Sequence, residues 1–282
     1  MRKRTVLLVV FLLGLVLSLV VAGCGPLAEH RLTRPVAVVG LERLAPGDLE
    51  RGRRLGTTVL VCTECHGPDL SGKVVIDSPA FAIVVAPNLT SGAGGVGRLS
   101  VSQWDLAVRH GLARDGRAMV LMPADGYASL SIEDLADLVA WLSSLPPVDA
   151  TRGPTRLGPF GALAVLTGGL HVPAWTIAHD RVARTSTVGP RAQGPWLIQV
   201  SGCAGCHGEA LKGRSMGGSL PAAPALLRDA KHSWSFENFR EALRLGRARD
   251  GHELNAVMPW RSFANWTDEE LRAVWEALPE VQ

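Results

Sequence analysis

Two pentapeptides in this chain could do chemistry: Cys62-Thr63-Glu64-Cys65-His66 and Cys203-Ala204-Gly205-Cys206-His207. In a C-x-x-C-H stretch, two thiols can add across the vinyl groups of a porphyrin while the adjacent imidazole binds iron from one face. The spacing has a physical reason, because two sulfurs must reach neighbouring vinyls while the next residue turns back under the metal. A thioredoxin-like redox pair would not need histidine in both copies. A four-cysteine zinc site would have to join halves 141 residues apart and leave a histidine over in each. The expectation is therefore two covalently bound haem c groups, held by Cys62, Cys65, Cys203 and Cys206, with His66 and His207 as iron ligands.

The opposite face of each iron decides the function. Each half offers a Met-Pro pair, Met122-Pro123 and Met258-Pro259, lying 56 residues after His66 and 51 after His207. A thioether favours ferrous iron, so His/Met ligation raises the potential and suits electron transfer. Proline stiffens the loop that carries the sulfur. Core packing is the commoner fate of methionine. With only five methionines in the chain, one of them the initiator, two at matched places point to ligation by Met122 and Met258. Met119 could compete with Met122, although the second half has Leu254 or Asn255 in that vicinity, and Met216 has no partner in the first half. His110, replaced by Leu245, reads as a surface or haem-edge histidine. His171, His179, His232 and His252 lack matched counterparts and read as satisfied polar residues.

The elements that must position these groups recur. A helix is expected from Pro46 through Leu49, Gly52 and Leu55 towards Cys62, and another through Gly194, Trp196, Leu197 and Val200 towards Cys203. Later in each half a helix starts after Ser100 or Ser235 and ends at Gly111 or Gly246. Trp104, Ala107 and Arg109 match Phe239, Ala242 and Arg244 at one offset of 135. The last helix opens with a capping-box pattern, Ser131 to Asp134 and Thr267 to Glu270. Its apolar stripe, Leu135, Leu138, Val139 and Leu142, is matched by Leu271, Val274, Trp275 and Leu278.

At 282 residues the chain has room for two domains. Of its five cysteines only Cys24 lies outside the haem motifs, so no pair remains for a structural disulfide. The formal charge of +3 resides in Arg2, Lys3 and Arg4, and beyond them 26 basic side chains face 26 acidic ones. Haem propionates would make the loaded protein acidic, which excludes a basic nucleic-acid-binding footprint.

Behind those three basic residues, 5 to 22 form an apolar run that closes with Val21-Ala22-Gly23-Cys24, the layout of a secretory signal. It resembles the bacterial lipoprotein signal, in which the peptide is cut before the cysteine and Cys24 carries lipid. An uncleaved transmembrane helix is the alternative. Both place the globular part outside the cytoplasmic membrane and tethered to it, on the periplasmic or extracytoplasmic face, where bacterial haem c is attached. The division expected is a signal peptide 1–23, a polar tether 24–45, domains at 46–147 and 193–282, and a Gly/Pro-rich connector 148–192. The connector's apolar piece, Phe160 to Leu170, is too short to cross a membrane and is expected to pack between the domains.

With both motifs placed, the sequence resembles the class I cytochrome c superfamily, and within it the membrane-associated cytochrome c subunits of bacterial quinoprotein alcohol dehydrogenases. The residues that carry the resemblance are Ala86-Pro87-Asn88-Leu89-Thr90, Gly94-Gly95-Val96-Gly97, Trp104, Arg109-His110-Gly111, Asp115-Gly116-Arg117, Met122-Pro123 and Leu142 to Pro147. Their echo is Ala223-Pro224-Ala225-Leu226, Arg244-Leu245-Gly246, Asp250-Gly251, Met258-Pro259-Trp260 and Thr267 to Leu278. The resemblance implies an all-α architecture of two tandem cytochrome c-like domains, with Asn88 in a loop beside the first haem and Ala225 in its place beside the second. Those dehydrogenase subunits carry three haems and this chain carries two motifs.

The function expected is a membrane-anchored dihaem cytochrome c passing single electrons in a respiratory or dehydrogenase-linked chain. It has no catalytic residues of its own, and its partners would be a dehydrogenase, an oxidase or a soluble cytochrome. The rival reading is a dihaem oxidoreductase, of peroxidase or sulfur-compound dehydrogenase type, with one displaceable distal ligand.

Overall fold

The computed structural model describes residues 23–182, 193–216, 221–228 and 234–280. The expected signal peptide, but for Gly23, lies outside these residues, as does His232. Each half is organised around two helices packed so closely that only glycine fits between them. In the first half α2 (Leu49–Arg54) lies on α6 (Ile132–Ser144), and a Cβ at Gly52 would stand 1.9 Å from the carbonyl oxygen of Asp137. In the second half α8 (Gly194–Val200) lies on α12 (Asp268–Ala277), and a Cβ at Gly194 would stand 1.9 Å from the carbonyl oxygen of Ala273. Asp137 reinforces the first contact by accepting from the Asp48 backbone N–H at 2.7 Å and from Arg51 Nε at 2.8 Å. The first of these helices begins at Leu49 rather than Pro46, because the Asp48 side chain caps it. It continues into a π-turn, Leu55–Val59, that α8 does not share.

The helices α3 (Cys62–His66) and α9 (Cys203–His207) carry the two motifs. The helices α4 (Val101–His110) and α10 (Phe236–Leu245) each start from a capping box, Ser100 with Gln103 and Ser235 with Asn238. Each ends at a left-handed glycine, Gly111 at φ 69° and Gly246 at φ 66°. Capping boxes also start α6 at Ser131 and α12 at Thr267. Short helices α5 (Ala124–Tyr127) and α11 (Trp260–Phe263) follow the two Met-Pro pairs.

The expectation of an all-α chain is corrected. A three-stranded antiparallel sheet, β1 (Lys73–Ser78), β2 (Ala82–Ala86) and β3 (Arg156–Leu157), projects from the first half in the order β1-β2-β3. Its first two strands are runs of β-branched residues joined by a tight turn, and the third comes from the expected connector, so the pairing is long-range.

Residues 24–45 are not a free tether. Residues 23–32 form helix α1, whose Cys24, Ala28 and Leu32 recur every fourth position and are buried. They join Ala82 and Val84 of the sheet, and Ala162 and Val165 of α7 (Pro159–Thr167), in one apolar cluster. The piece 160–170 therefore packs on the first half rather than between the halves. Arg31 Nη1 donates to the carbonyls of Val165 at 3.2 Å and Leu166 at 2.7 Å, and Arg117 pairs with Glu29 at 2.7 Å.

A second apolar cluster runs without a break through both halves, from Leu55, Trp104 and Leu138 to Leu197, Trp266 and Leu271. Polar bonds cross the same boundary. Trp266 Nε1 donates to the Thr58 carbonyl at 3.0 Å, Ser262 Oγ to Glu64 Oε1 at 2.9 Å, and Arg54 pairs with Glu270 at 2.5 Å. Among the described residues no helix is long and apolar enough to cross a membrane.

Gly52→Ala and Gly194→Ala should each lower the stability of the loaded protein by about 1–3 kcal/mol through overpacking. Gly153→Ala, with nothing within 4 Å of the added carbon, should leave it unchanged. Thermal unfolding of the three variants checks this.

Candidate haem-binding site

Each motif helix is entered through a residue in left-handed conformation, Val61 at φ 48° and Gly202 at φ 73°. Valine is strained there, and such strain gathers where surrounding structure over-determines a site. The helices last one turn and stop at Gly67 and Gly208. The chain then folds back, so that the Gly72 N–H reaches the His66 carbonyl at 2.8 Å and the Gly213 N–H reaches that of His207 at 2.7 Å. Leu89 N–H to Leu70 O and Leu226 N–H to Leu211 O, both 2.8 Å, lay the next loop alongside.

That loop brings a proline carbonyl to each histidine. His66 Nδ1 lies 2.8 Å from the Pro87 oxygen and His207 Nδ1 2.7 Å from the Pro224 oxygen. A carbonyl only accepts, so Nδ1 carries the proton, and in the neutral ring the Nε2 lone pair is left for a metal. Burial lowers the pKa of His66 and so favours the neutral ring, against the opposing pull of the Pro87 bond. Both histidines are buried.

The thiols sit in surroundings that disfavour charge. Burial pushes Cys62 up to about 12, with Cys65 adding to the effect, and raises Cys65, Cys203 and Cys206 as well. An uncharged thioether suits such a place.

In the second half Cys203, Cys206, His207 and Met258 all line a cavity of about 1010 Å³. Phe239, Leu243, Phe263, Trp266 and Val274 supply apolar wall, while Arg249 and His252 lie at the lining with Asp250. The volume and the mostly apolar lining suit a large planar cofactor. In the first half Cys62 and Met122 pack against the same continuous core, as Cys203 and Met258 do in the second. Trp104, the counterpart of the wall residue Phe239, has a buried Nε1 with no protein partner, a donor that a bound group bearing acceptor oxygens would satisfy.

The two methionine loops share one backbone plan. Ala124 N–H closes on the Met122 carbonyl and Trp260 N–H on that of Met258, both at 2.8 Å, with Pro123 and Pro259 between. Upstream, Met119 N–H bonds to the Gly111 carbonyl at 2.8 Å, where Leu254 bonds to Gly246 at 2.7 Å. Leucine thus stands where Met119 stands. Met216 also lines the second cavity.

Several placements differ from expectation or went unread. His110 is buried, not at the surface, and its Nδ1 lies 2.8 Å from Nδ1 of His179 with the rings stacked. His171 pairs with Asp125 and His252 with Asp250. Asn88 is fully buried: its Nδ2 donates to the Val148 carbonyl at 2.7 Å and its Oδ1 accepts from Thr90 N–H at 2.9 Å. It fastens the Pro87 loop to the chain leaving α6. Arg109 and Arg244 each donate through Nη1 to a carbonyl in the turn before the last helix, of Leu130 and Ala264 respectively. The carbonyls of Pro87 and Pro224 were not singled out from sequence, although the matched Ala-Pro pairs marked them. Cys24 is buried in the cluster beneath α7.

The cytochrome c family pattern matches residues 192–276. A dihaem c-type cytochrome of Cereibacter sphaeroides is 29% identical over 95% of this chain and 96% of its own length. The cytochrome c subunit of a quinone alcohol dehydrogenase from Gluconacetobacter polyoxogenes is 26% identical over 81% of this chain. The cytochrome subunit of a fructose dehydrogenase from Gluconobacter japonicus is 35% identical over 37% of it. The chain spans 54% and 23% of the lengths of those two subunits. Residues 192–276 are thus a cytochrome c domain, and the near full-length likeness to a dihaem c-type cytochrome supports covalently bound haem c.

Proposed function

We propose that the protein is an exported, membrane-tethered dihaem cytochrome c, with cytochrome c domains at 46–147 and 193–282, that relays single electrons from a dehydrogenase to a further redox protein. The observation that carries this reading is the duplicated arrangement of a cysteine pair, a histidine whose Nδ1 is held by a proline carbonyl, and a methionine on a proline-stiffened loop. When bound, haem iron supplies a one-electron ferric–ferrous couple. Cys62, Cys65, Cys203 and Cys206 hold the porphyrins. His66 and His207 present Nε2, and Met122 and Met258 present thioethers that favour the ferrous state. Filling both axial positions leaves no place for a substrate, which suits a carrier.

The two centres are not chemically equal. The carbonyl that orients His66 belongs to a loop fastened by the buried Asn88, whereas Ala225 cannot fasten the Pro224 loop in that way. Such outer partners tune ligand basicity, so two different potentials are expected within one chain. The apolar run 5–22 closing at Cys24 supports a membrane tether, through that run itself or through a lipid on a Cys24 released from its packing beneath α7. Dehydrogenase partners are inferred from the relatives, which include cytochrome subunits of a fructose dehydrogenase and of an alcohol dehydrogenase.

Met122→Ala and Met258→Ala should each open one iron while leaving its haem covalently bound. Each should lower that centre's potential on the order of 0.1 V, within the roughly 0.8 V that axial ligands span. Redox titration reads both centres, and an unchanged potential removes that methionine as a ligand. Asn88→Ala should cost about 1–3 kcal/mol by leaving buried groups unpaired. In the same titration it should move the first centre and leave the second in place.

A further inference from the structure

Helix α7 is fixed by its backbone with part of its apolar surface turned outward. The Phe160 N–H donates to the Ala80 carbonyl at 3.0 Å, and a Cβ at Gly161 would stand 2.1 Å from the Phe81 oxygen, so the helix cannot roll. Gly161, Ala162 and Val165 face inward, while Phe160 is 66% and Leu163 47% exposed. Its nine residues carry no charge, and a helix apolar on all sides belongs inside a protein or in lipid.

Two further observations identify what covers this face. The neighbouring helix α1, which packs on α7 through Ala28 and Leu32, follows directly on the apolar run 5–22, and its Leu27 is 60% exposed. Between Ala150 and His179 the sequence has no Asp or Glu, Arg152 and Arg156 precede α7 and are exposed, as is Arg34 just beyond α1, and the exposed Glu29 of α1 is paired with Arg117. An uncharged apolar helix preceded in sequence by exposed arginines suits an acyl layer beneath anionic headgroups.

We infer that α7 lies in the membrane surface, with Phe160 and Leu163 inserted among the acyl chains and Arg152, Arg156 and Arg34 at the headgroups, so that the first half is held against the bilayer as well as tethered to it. This rests on the proposed membrane tether at Cys24 or the preceding run. The contact would orient the molecule by holding the first half at the membrane surface.

The test uses the full-length, haem-loaded protein in vesicles of phosphatidylethanolamine and phosphatidylglycerol that contain a lipid with a photoactivatable group in its acyl chain. Labelled peptides are mapped by mass spectrometry. Label is expected on the α7 peptide and at the N-terminal tether. The double variant Phe160→Asp with Leu163→Asp should retain its haem and its N-terminal label and lose most of the α7 label. Label at the tether with none on α7 in the unaltered protein overturns the inference and leaves the tether standing. A protein that floats with no vesicles and takes no label anywhere overturns both. Chemical cross-linking of α7 to a second copy or to another protein, with no lipid label on α7, also overturns it.

Discussion

The structure depends on a hydrogen bond from a histidine ring nitrogen to a proline carbonyl, made twice. Because the acceptor is a backbone oxygen, Nδ1 must hold the proton and Nε2 is left with its lone pair. Much of the surrounding architecture serves to bring that carbonyl to within 2.8 Å of the ring. The one-turn motif helix, the fold-back onto the histidine's own carbonyl and the ladder from Leu70 to Leu89 or Leu211 to Leu226 all converge on it. The two halves differ in how the loop is secured, by the buried Asn88 in the first and without that amide in the second, and this asymmetry gives one chain two environments.

The halves do not behave as beads on a string. One apolar core passes through both, and Trp266, which lines the second cavity, donates to the Thr58 carbonyl in the segment leading into the first motif. Ser262, four residues beyond Met258, donates to Glu64, a residue inside the first motif. The methionine loop of the second half is thereby held against the motif helix of the first. In the proposed relay such rigidity would keep the separation of the two centres from depending on domain motion.

What could be read from the sequence was whatever is local. The C-x-x-C-H motifs, the Met-Pro pairs, the capping boxes at Ser131 and Thr267 and the glycine stops at Gly111 and Gly246 all depend on residues within a few positions of one another. What could not be read depends on distant partners. Residues 24–45 look polar and proline-punctuated, yet Cys24, Ala28 and Leu32 become a buried stripe once α7 arrives from more than a hundred positions away. The strands β1 and β2 were hidden in a glycine- and proline-rich stretch, and β3 completes the sheet from beyond α6. His110 read as a surface or haem-edge residue because its partner, His179, lies in the connector. Even the histidine–carbonyl bond was hidden, because its acceptor is a backbone atom that a side-chain motif does not specify.

The most direct test of the account is the visible and near-infrared spectrum of the purified full-length protein, oxidised and reduced, with haem counted per chain. Two covalent haems per chain, both low-spin, with the far-red charge-transfer band that methionine sulfur gives on ferric iron, are the predicted result. One haem per chain, or a high-spin fraction without that band, would contradict the picture of two six-coordinate carrier centres.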